Sequence, residues 1–239
     1  MDTPVAYLEH LAQDREEAEA LFRSLSIGYS EFFRDPLTFA LLEQVVLPGL
    51  AEKKEKTGRG EIRVWSAGCA AGQEAWSVAI LLEEMAAARG KPLPYRIFAT
   101  DLSPAELTVA RTGVYDAVGL QNVRWRHLHT YFTRKEERYT LVPRLRDRVD
   151  FSAYDLLDGY SVCPPVSVYG DFDLVLCCNL LFYYRPEIRS AILEKVQGCL
   201  APGGYFVTGE TEGGIVKESG GLRAVAPPPA VFQKIEPRR

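Results

Sequence analysis

The sequence predicts an α/β protein whose core is a doubly wound, mainly parallel sheet. From Glu61 onward, apolar runs of strand length alternate with longer helical patterns, which is typical of successive βαβ units. A glycine-rich turn joins the first of these strands to the first long helix, and ligands of such sheets lie at that end of the strands. The chain has 239 residues, 47% hydrophobic and 25% charged, so it can bury one substantial core.

The region before this alternation is predicted to be helical. Apolar residues between Leu8 and Leu25 recur at spacings of three and four, which indicates one or two amphipathic helices. A further helix is predicted over residues 36–50, because its apolar positions would then share one face. The polar tract 52–60 is predicted to be a linker. Residues 1–55 are therefore expected to form a helical N-terminal region, and residues 61–239 the main domain.

Short apolar runs give the order of elements in the main domain. IRVWS precedes a predicted helix at 74–88, RIFAT one at 104–111, and DLVLCC one at 186–200, before the final run GGYFVTG. The segment 128–153 breaks this alternation, because RYTLVPRLRDRVDF has the period of antiparallel strands. A small inserted antiparallel β-subdomain is therefore predicted at about 128–150. The end of the chain is predicted to form two strands joined by a long loop rich in glycine and proline.

Cysteine usage and the length of the apolar runs exclude several classes of protein. The five cysteines are scattered and odd in number, which favours reduced core thiols over a disulfide framework. A metal site is not expected, because there is no C-x-x-C pair and only three histidines occur, although His127 and His129 could share one face of a strand. No apolar run approaches the roughly 20 residues that span a bilayer, and no secretory signal begins the chain, so a cytoplasmic protein is expected.

Charge is distributed unevenly along the chain. Residues 121–150 contain eight basic and four acidic residues, a surplus of four positive charges. The whole chain carries a net charge of -4, which leaves about -8 on the remainder. This basic segment indicates an anionic partner, such as a nucleic acid, a membrane surface or an acidic protein. A solvated hairpin with intermixed charges is an equally good interpretation.

The turn WSAGCAAGQEAWS has small residues where a ligand could approach the backbone. Gly68 and Gly72 permit that approach, and the following helix presents unpaired amides. A phosphate is disfavoured, because the turn has no lysine and Glu74 would repel an anion. Asp101, at the end of IFATD, could accept hydrogen bonds from both hydroxyls of a ribose. A nucleoside with a cationic group, such as S-adenosylmethionine, therefore fits. Alternatively, Glu74 is a helix cap and Asp101 a turn residue.

Longer motifs make a family resemblance specific. The chain resembles the CheR-type chemotaxis receptor methyltransferases in the order and spacing of EFFRD, VWSAGCAAGQEAWSVAI, FATDLSPAELTVARTGVY, YFTR, LVPRLRDRVDFSAYDLL, FDLVLCCNLLFYY and LAPGGYFVTGETE. Together these motifs cover nearly all of residues 31–234. The resemblance implies a class I, S-adenosylmethionine-dependent methyltransferase with a Rossmann-like, seven-stranded sheet, a short helical N-terminal region and a small β-subdomain. It also implies methyl transfer to glutamate side chains of a chemoreceptor, with S-adenosylhomocysteine as the product.

The resemblance further implies roles for single residues. Arg34 and Tyr183 match positions close to the transferred methyl group, and they are the predicted catalytic residues. Glu74 matches a position near the amino-acid part of the cofactor, and Asp101 one on its ribose. Asp155 and Leu156 are expected to flank the adenine. On their own, Asp155 and Asn179 would fit helix or turn caps equally well. The predicted cofactor-binding residues are Ser30, Gly68, Glu74, Asp101, Asp155, Leu156, Asn179 and Leu180.

The chain departs from the family pattern at Gly28 and again directly after the turn, at Gln73, Ala75 and Trp76. Its first helical region is also acidic, where a helix that binds a chemoreceptor is expected to be basic. These departures bear on recognition of the acceptor more than on the cofactor.

The predicted partner is an acidic helical segment of a chemoreceptor-like protein, with no nucleic acid, no membrane insertion and a monomeric state. Two other interpretations remain open. The acceptor is another protein or a small-molecule carboxylate, or the chain is a non-catalytic signalling module that binds S-adenosylmethionine. A nucleic-acid methyltransferase is disfavoured, because the chain has no N/D-P-P-Y/F motif to hold a flipped base.

Overall fold

A computed structural model describes residues 3–18, 21, 30–58, 60–228 and 230–235. The first predicted amphipathic helix is α1, Pro4–Gln13, and residues 15–18 are also helical. The predicted helical positions Phe22 and Leu25, and the family departure at Gly28, lie outside the described residues.

The fold is organised around two sheets. A seven-stranded sheet has the order β6-β2-β1-β7-β8-β10-β9, and a three-stranded sheet has the order β3-β5-β4. The strands are β1 Ile62–Ala67, β2 Tyr95–Asp101, β3 Val114–Tyr115, β4 Phe132–Lys135, β5 Arg138–Leu141, β6 Val149–Ala153, β7 Phe172–Cys177, β8 Leu200–Thr208, β9 Leu222–Ala224 and β10 Val231–Lys234.

The large sheet is mainly parallel. β1 is an inner strand that pairs in parallel with β2 on one side and β7 on the other, while β6 extends the β2 side and β8 the β7 side. The last two strands of the sheet pair antiparallel. After β1 the chain adds β2 and β6 on one side of it, and then places β7 on its other side. The crevice beyond the carboxyl ends of β1 and β7 is where such sheets hold ligands. This sheet confirms the predicted fold class.

The segment predicted to be an antiparallel hairpin contributes to both sheets. β4 and β5 pair antiparallel with Phe132 opposite Leu141, as the alternating pattern predicts. The extension of that pattern through VDF was wrong, because β6 pairs in parallel with β2 and forms the edge of the large sheet. A short helix separates the two pieces, so the alternation of RYTLVPRLRDRVDF is interrupted at Pro143–Arg146. The boundaries given for the β-subdomain stay a prediction.

The helices alternate with the strands of the large sheet. They are α2 Pro36–Leu41, a π-helical segment Leu42–Val46, α3 Leu47–Thr57, α4 Gln73–Arg89, α5 Pro104–Thr112, α6 Trp125–Tyr131, α7 Pro143–Arg146, α8 Pro186–Cys199 and α9 Gly213–Glu218. The C-terminal loop predicted between two strands therefore contains α9 and a third strand, β9. His127 and His129 lie on α6, so their predicted placement on a strand was wrong.

The polar tract 52–60 was wrongly predicted to be a linker, because α3 continues to Thr57 and ends at Gly58 in the left-handed conformation. Its polar side chains belong to the exposed last turns of a helix whose earlier part is buried, at Leu50 and Ala51. Lys54 pairs with Asp173 on β7 at 2.8 Å, so part of the charge anchors the helix to the sheet. The sequence predicted a linker here because this run of charged residues contains no apolar positions from which a helical period could be recognised.

The sheet separates two apolar clusters. Alternate residues of the central strands face opposite sides, so Val64 and Leu174 belong to one cluster, while Trp65 and Val175 belong to the other. All five cysteines are free, and burial raises the pKa of the Cys177 and Cys178 thiols, which keeps them protonated. Among the described residues, every helix is too short or too polar to cross a bilayer, and no group of acidic, histidine and cysteine side chains is suited to a metal ion.

Candidate active site at the carboxyl edge of the sheet

The turn between β1 and α4 is shaped by two glycines in the left-handed region. Gly68 has φ 79°, and Gly72, which caps α4, has φ 89°. The amides of Gly68 and Cys69 both donate to the Thr100 carbonyl, at 2.8 and 2.9 Å. The turn therefore lies against the end of β2. It leaves the first amides of α4 facing the crevice between β1 and β7.

Substituting Gly72→Ala is expected to lower the free energy of unfolding by about 1–3 kcal/mol, because alanine is strained at this φ. Steric contact adds to that cost, since an added Cβ would lie 2.8 Å from the Ala110 Cβ and 3.0 Å from the Phe151 ring. Urea unfolding measures the change. Gly49→Ala is the matched control, because Gly49 lies inside α3 with no atom within 4 Å of an added Cβ. Equal stability of the two variants would contradict this account of Gly72.

Asp101 links the first two strand ends. Its Oδ2 accepts a hydrogen bond from the Ala70 amide at 2.8 Å, and its Oδ1 accepts one from the Ser103 amide at 2.9 Å. The alternative interpretation as a turn residue is therefore partly correct. Each carboxylate oxygen keeps a further lone pair, so both can still accept a hydrogen bond from a ligand. The half-buried carboxylate stands where two adjacent hydroxyls could meet it.

The carboxyl of Glu74, in the same turn, has a strongly raised pKa. Burial raises the pKa of its carboxyl to about 7, hydrogen bonds from Cys178 and Ser66 lower it, and the nearby carboxylates of Asp35 and Glu212 raise it. The Ser66 hydroxyl donates to Glu74 Oε1 at 2.5 Å. A carboxyl whose pKa is about 7 is only partly ionised at neutral pH, and a cationic group beside it favours the ionised form. The site thus favours a positively charged ligand.

Cofactor affinity is expected to fall as the pH drops below about 7, because a protonated Glu74 must ionise to meet a cationic group. Each pH unit below that value costs up to about tenfold in affinity, and above it this group contributes no slope. Calorimetric titrations of S-adenosylmethionine between about pH 5 and pH 8 measure the dependence. Glu74→Gln is the control, since an amide does not titrate. The same slope in that variant would show that another group titrates.

The end of β7 supplies the opposite wall of the crevice. Asn179 follows this strand in the left-handed conformation, with φ 57°. Leu180 lies against Gly68, where an added Cβ would be 3.1 Å from Leu180 Cδ2. A short 3-10 helix, Leu181–Tyr183, then presents Tyr183 with 54% of its surface exposed. The absence of a side chain at Gly68 therefore lets the two strand ends approach each other.

Tyr184 joins this wall to the acids on the other side. Its side chain is half-buried, and its pKa is raised by burial and by the nearby carboxylates of Asp155 and Asp101. Asp155 Oδ1 accepts a hydrogen bond from the Leu157 amide at 2.8 Å, which is the turn-capping role that its sequence allowed. Leu156 is buried among the second apolar cluster. Asp101, Asp155 and Tyr184 thus share one part of the crevice.

The segment EFFRD is fixed by its aromatic residues. Phe32 is fully buried and contacts the ring of Tyr115 at 4.9 Å, and the Phe33 amide donates to the Ser77 hydroxyl at 3.0 Å. Asp35 accepts a hydrogen bond from the Glu210 amide, and burial raises its pKa while Arg34 lowers it. Arg34 therefore lies beside the acids at the carboxyl edge, and the half-buried Ser30 precedes this segment.

The departures after the turn fall on the inner side of α4. Ala75 and Trp76 are buried, and Trp76 Nε1 donates to the Ala110 carbonyl at 3.3 Å. The Trp76 ring also contacts that of Phe151 at 5.2 Å. Gln73 is buried too, and its Oε1 has no hydrogen-bond partner among the described residues. Ala75 and Trp76 therefore belong to the core, while Gln73 leaves a buried acceptor at the helix N-terminus.

Two residues of the site were missed by the sequence analysis. Glu212 is fully buried, and its carboxylate receives four hydrogen bonds from the ends of β7 and β8. Tyr184 was missed because the family resemblance implies a role only for its neighbour Tyr183. The only available signal for Glu212 was the spacing in GETE, since a glutamate three residues after a helix cap commonly accepts backbone hydrogen bonds.

The basic segment is partly neutralised within the chain. Arg124 and Arg126 pair with Glu43, and Arg126 also pairs with Glu84. Other arginines of the segment lie over aromatic rings and make no ion pair with the described residues. These are Arg134 over Tyr139, Arg144 over Tyr131 and Arg148 over Tyr95. Positive charge therefore remains on this side of the molecule.

The crevice fits an adenosyl ligand that carries a positive charge. Gly68 and Gly72 allow close approach to the backbone, Asp101 offers a carboxylate at the end of β2, and the buried Glu74 carboxyl lies in the same turn. Neither of two surface cavities, of about 220 and 450 Å³, includes a predicted site residue. The ends of β1, β2 and β7 bring Gly68, Glu74, Asp101 and Leu180 to one edge of the sheet, whereas Leu156 is buried in the second apolar cluster.

Comparison with known proteins supports the same interpretation. Residues 29–222 match the family described as "CheR methyltransferase, SAM binding domain". Chemotaxis protein methyltransferase 1 of Pseudomonas aeruginosa is 35% identical over 198 residues, which cover 81% of this chain and 69% of that protein. The chemotaxis protein methyltransferase of Listeria monocytogenes is 32% identical over 206 residues, or 86% of this chain and 73% of that protein.

A third relative is much longer than this chain. An uncharacterised 104.1 kDa protein of Rhodobacter capsulatus is 34% identical over 208 residues, which cover 87% of this chain but only 21% of that protein. The family match confirms the predicted resemblance and the predicted cofactor, S-adenosylmethionine. The chain belongs to the CheR methyltransferase family.

Proposed function

We propose that this protein transfers a methyl group from S-adenosylmethionine to glutamate side-chain carboxylates of a chemoreceptor-like protein. The products are a glutamate methyl ester and S-adenosylhomocysteine. The observation that carries this proposal is the position of the EFFRD segment: the carboxylate of Asp35, next to Arg34 in the chain, raises the pKa of Glu74, so this segment lies near the proposed cofactor residues. An arginine there can bind an acidic acceptor next to the methyl donor.

The cofactor supplies an electrophilic methyl group on a sulfonium when it is bound. Glu74 would face its positive charge, and its burial strengthens that interaction. Asp101 would accept hydrogen bonds from the ribose hydroxyls. Ser30, Gly68, Asp155, Leu156, Asn179 and Leu180 are the further proposed cofactor contacts.

The acceptor needs positioning rather than activation. A glutamate carboxylate is already ionised at neutral pH, so no general base is required to make it a nucleophile. Arg34 would hold the carboxylate by charge-assisted hydrogen bonds, and the exposed Tyr183 hydroxyl would orient it. Alignment of the attacking oxygen with the methyl carbon then supplies much of the rate. An arginine that neutralised the carboxylate fully would weaken the nucleophile, so its role is orientation.

An acidic helical segment is the proposed acceptor region, and the proposed enzyme is a monomer. The arginines that have no ion pair with the described residues, such as Arg144 and Arg148, support an acidic partner. The names of the two chemotaxis methyltransferases support a chemoreceptor as the source of that segment. Attraction of this kind weakens with salt, so receptor methylation should slow at high ionic strength.

The test is to incubate the protein with tritiated S-adenosylmethionine and membranes that contain a chemoreceptor. A receptor-sized labelled band that releases volatile tritium in base supports the proposal, because methyl esters hydrolyse to methanol. Receptor whose acceptor glutamates are replaced by alanine is the control. Base-labile label on another protein or on a small molecule would change the acceptor. Tight cofactor binding without any label would favour a signalling module.

A further inference from the structure

We propose that Glu212 is a positioning residue, which sets the conformation of residues 179–184 and so places the side chains of Asn179 and Tyr183. This inference rests on the proposed function for Tyr183, but its structural part does not depend on the acceptor. Glu212 follows β8, in a different part of the sequence from the segment that it holds.

The Glu212 carboxylate has all the contacts expected of a buried structural anion. Its Oε2 accepts hydrogen bonds from the Asn179 amide at 2.8 Å, the Thr208 hydroxyl at 2.8 Å and the Gly209 amide at 3.0 Å. Its Oε1 accepts one from the Phe182 amide at 3.3 Å. The side chain has no exposed surface. A buried carboxylate with this many donors fixes their relative positions, because each unpaired donor would be costly.

These bonds act on the part of the chain that carries the predicted site residues. The two amides that come from the β7 side, at Asn179 and Phe182, enclose Leu180 and Leu181, and Phe182 directly precedes Tyr183. Arg189 binds the carbonyl groups of the same turn. Its guanidinium donates to the Leu181 and Phe182 carbonyls at 2.9 and 3.3 Å. Donors and acceptors of the turn are thus both bound from outside, in addition to the Tyr183 and Tyr184 amides, which donate to the Leu180 and Leu181 carbonyls within the turn.

Gly209 completes the arrangement. An added Cβ at this position would lie 2.7 Å from Asn179 Nδ2 and 3.0 Å from the Asn179 amide nitrogen. The missing side chain therefore lets Asn179 come close to β8 while it stays in the left-handed conformation. Glu212 and Gly209 place the same residue by two different means, a set of hydrogen bonds and a steric allowance.

Glu212→Gln is the first test. Glutamine has one acceptor oxygen, and its NH₂ group would face amide donors, so the turn should loosen. We expect the dissociation constant for S-adenosylhomocysteine to rise about tenfold, and turnover at saturating cofactor to fall about ten- to hundredfold, because small displacements at a reacting centre are costly. Hydrogen exchange should accelerate in residues 178–184 but not in β1 or β2. Glu210→Gln is the control, because Glu210 is exposed in the same turn.

Gly209→Ala is the second test, and it keeps the carboxylate intact. It should reproduce the loss of S-adenosylhomocysteine affinity and of turnover, even where Glu212→Gln fails to fold. Lowered thermal stability with wild-type affinity and turnover in either variant would overturn the positioning role. S-adenosylhomocysteine affinity and hydrogen exchange need no methyl acceptor, so these readouts separate a failure of this inference from a failure of the proposed receptor substrate.

Discussion

Arg34→Ala is expected to lower the rate of methyl transfer by about 10²- to 10³-fold, the usual cost of removing a donor that holds a reacting oxygen. Affinity for S-adenosylhomocysteine should stay near the wild-type value, because the proposed role of Arg34 is to bind the acceptor. The fold should also remain, since EFFRD is anchored by the buried side chains of Phe32 and Phe33 and by the hydrogen bond of the Phe33 amide. Initial rates with receptor membranes, together with a calorimetric titration of the product, measure both quantities.

A lysine at this position tests the geometry as well as the charge. Arg34→Lys keeps the positive charge but loses the planar fork that binds a carboxylate through two parallel hydrogen bonds, so only part of the activity should return. Arg185→Ala is the matched control, because Arg185 is an exposed arginine two residues beyond Tyr183. Wild-type turnover in Arg34→Ala would remove Arg34 from the mechanism. An equal loss in Arg185→Ala would point to general charge instead.

Asp101→Ala is expected to weaken cofactor binding by about 10²- to 10⁴-fold, because hydrogen bonds to a charged group contribute about 1.5–3 kcal/mol each and two are proposed. The substitution also removes the acceptor of the Ala70 and Ser103 amides, so some loss of stability is expected. Calorimetric titration of S-adenosylhomocysteine measures the affinity, and thermal unfolding measures the stability.

A matched control separates these two effects of Asp101. Asp116 also accepts two backbone hydrogen bonds, from the Val118 and Gly119 amides at 3.1 and 3.2 Å, but it lies outside the crevice. Asp116→Ala should therefore change stability without changing cofactor affinity. If Asp101→Ala retained wild-type affinity, the assignment of this carboxylate to the ribose would be wrong.

Sequence patterns predicted those elements in which consecutive residues are buried. The strands of the large sheet carry near-continuous apolar runs because both of their faces are covered, and this is why β1, β2, β7 and β8 were found. Errors arose where polar residues were assigned to a linker or a hairpin, since the sequence does not show which residues pack against the core. Residues 52–57 are polar because they form the exposed end of α3, and β6 resembled a hairpin strand because it is the edge of its sheet.

Local patterns were sufficient for the parts of the site that lie within one stretch of chain. Gly68, Gly72 and Glu74 lie within a single turn, and Asp101 ends the next strand, so their types and spacing favoured a charged adenosyl ligand. The conformation of residues 179–184 depends on contacts between distant segments. Glu212, after β8, accepts hydrogen bonds from the Asn179 and Phe182 amides, and no local pattern records a hydrogen bond between residues 33 positions apart. Burial likewise determines the protonation of Glu74, because its pKa depends on packing around the carboxyl.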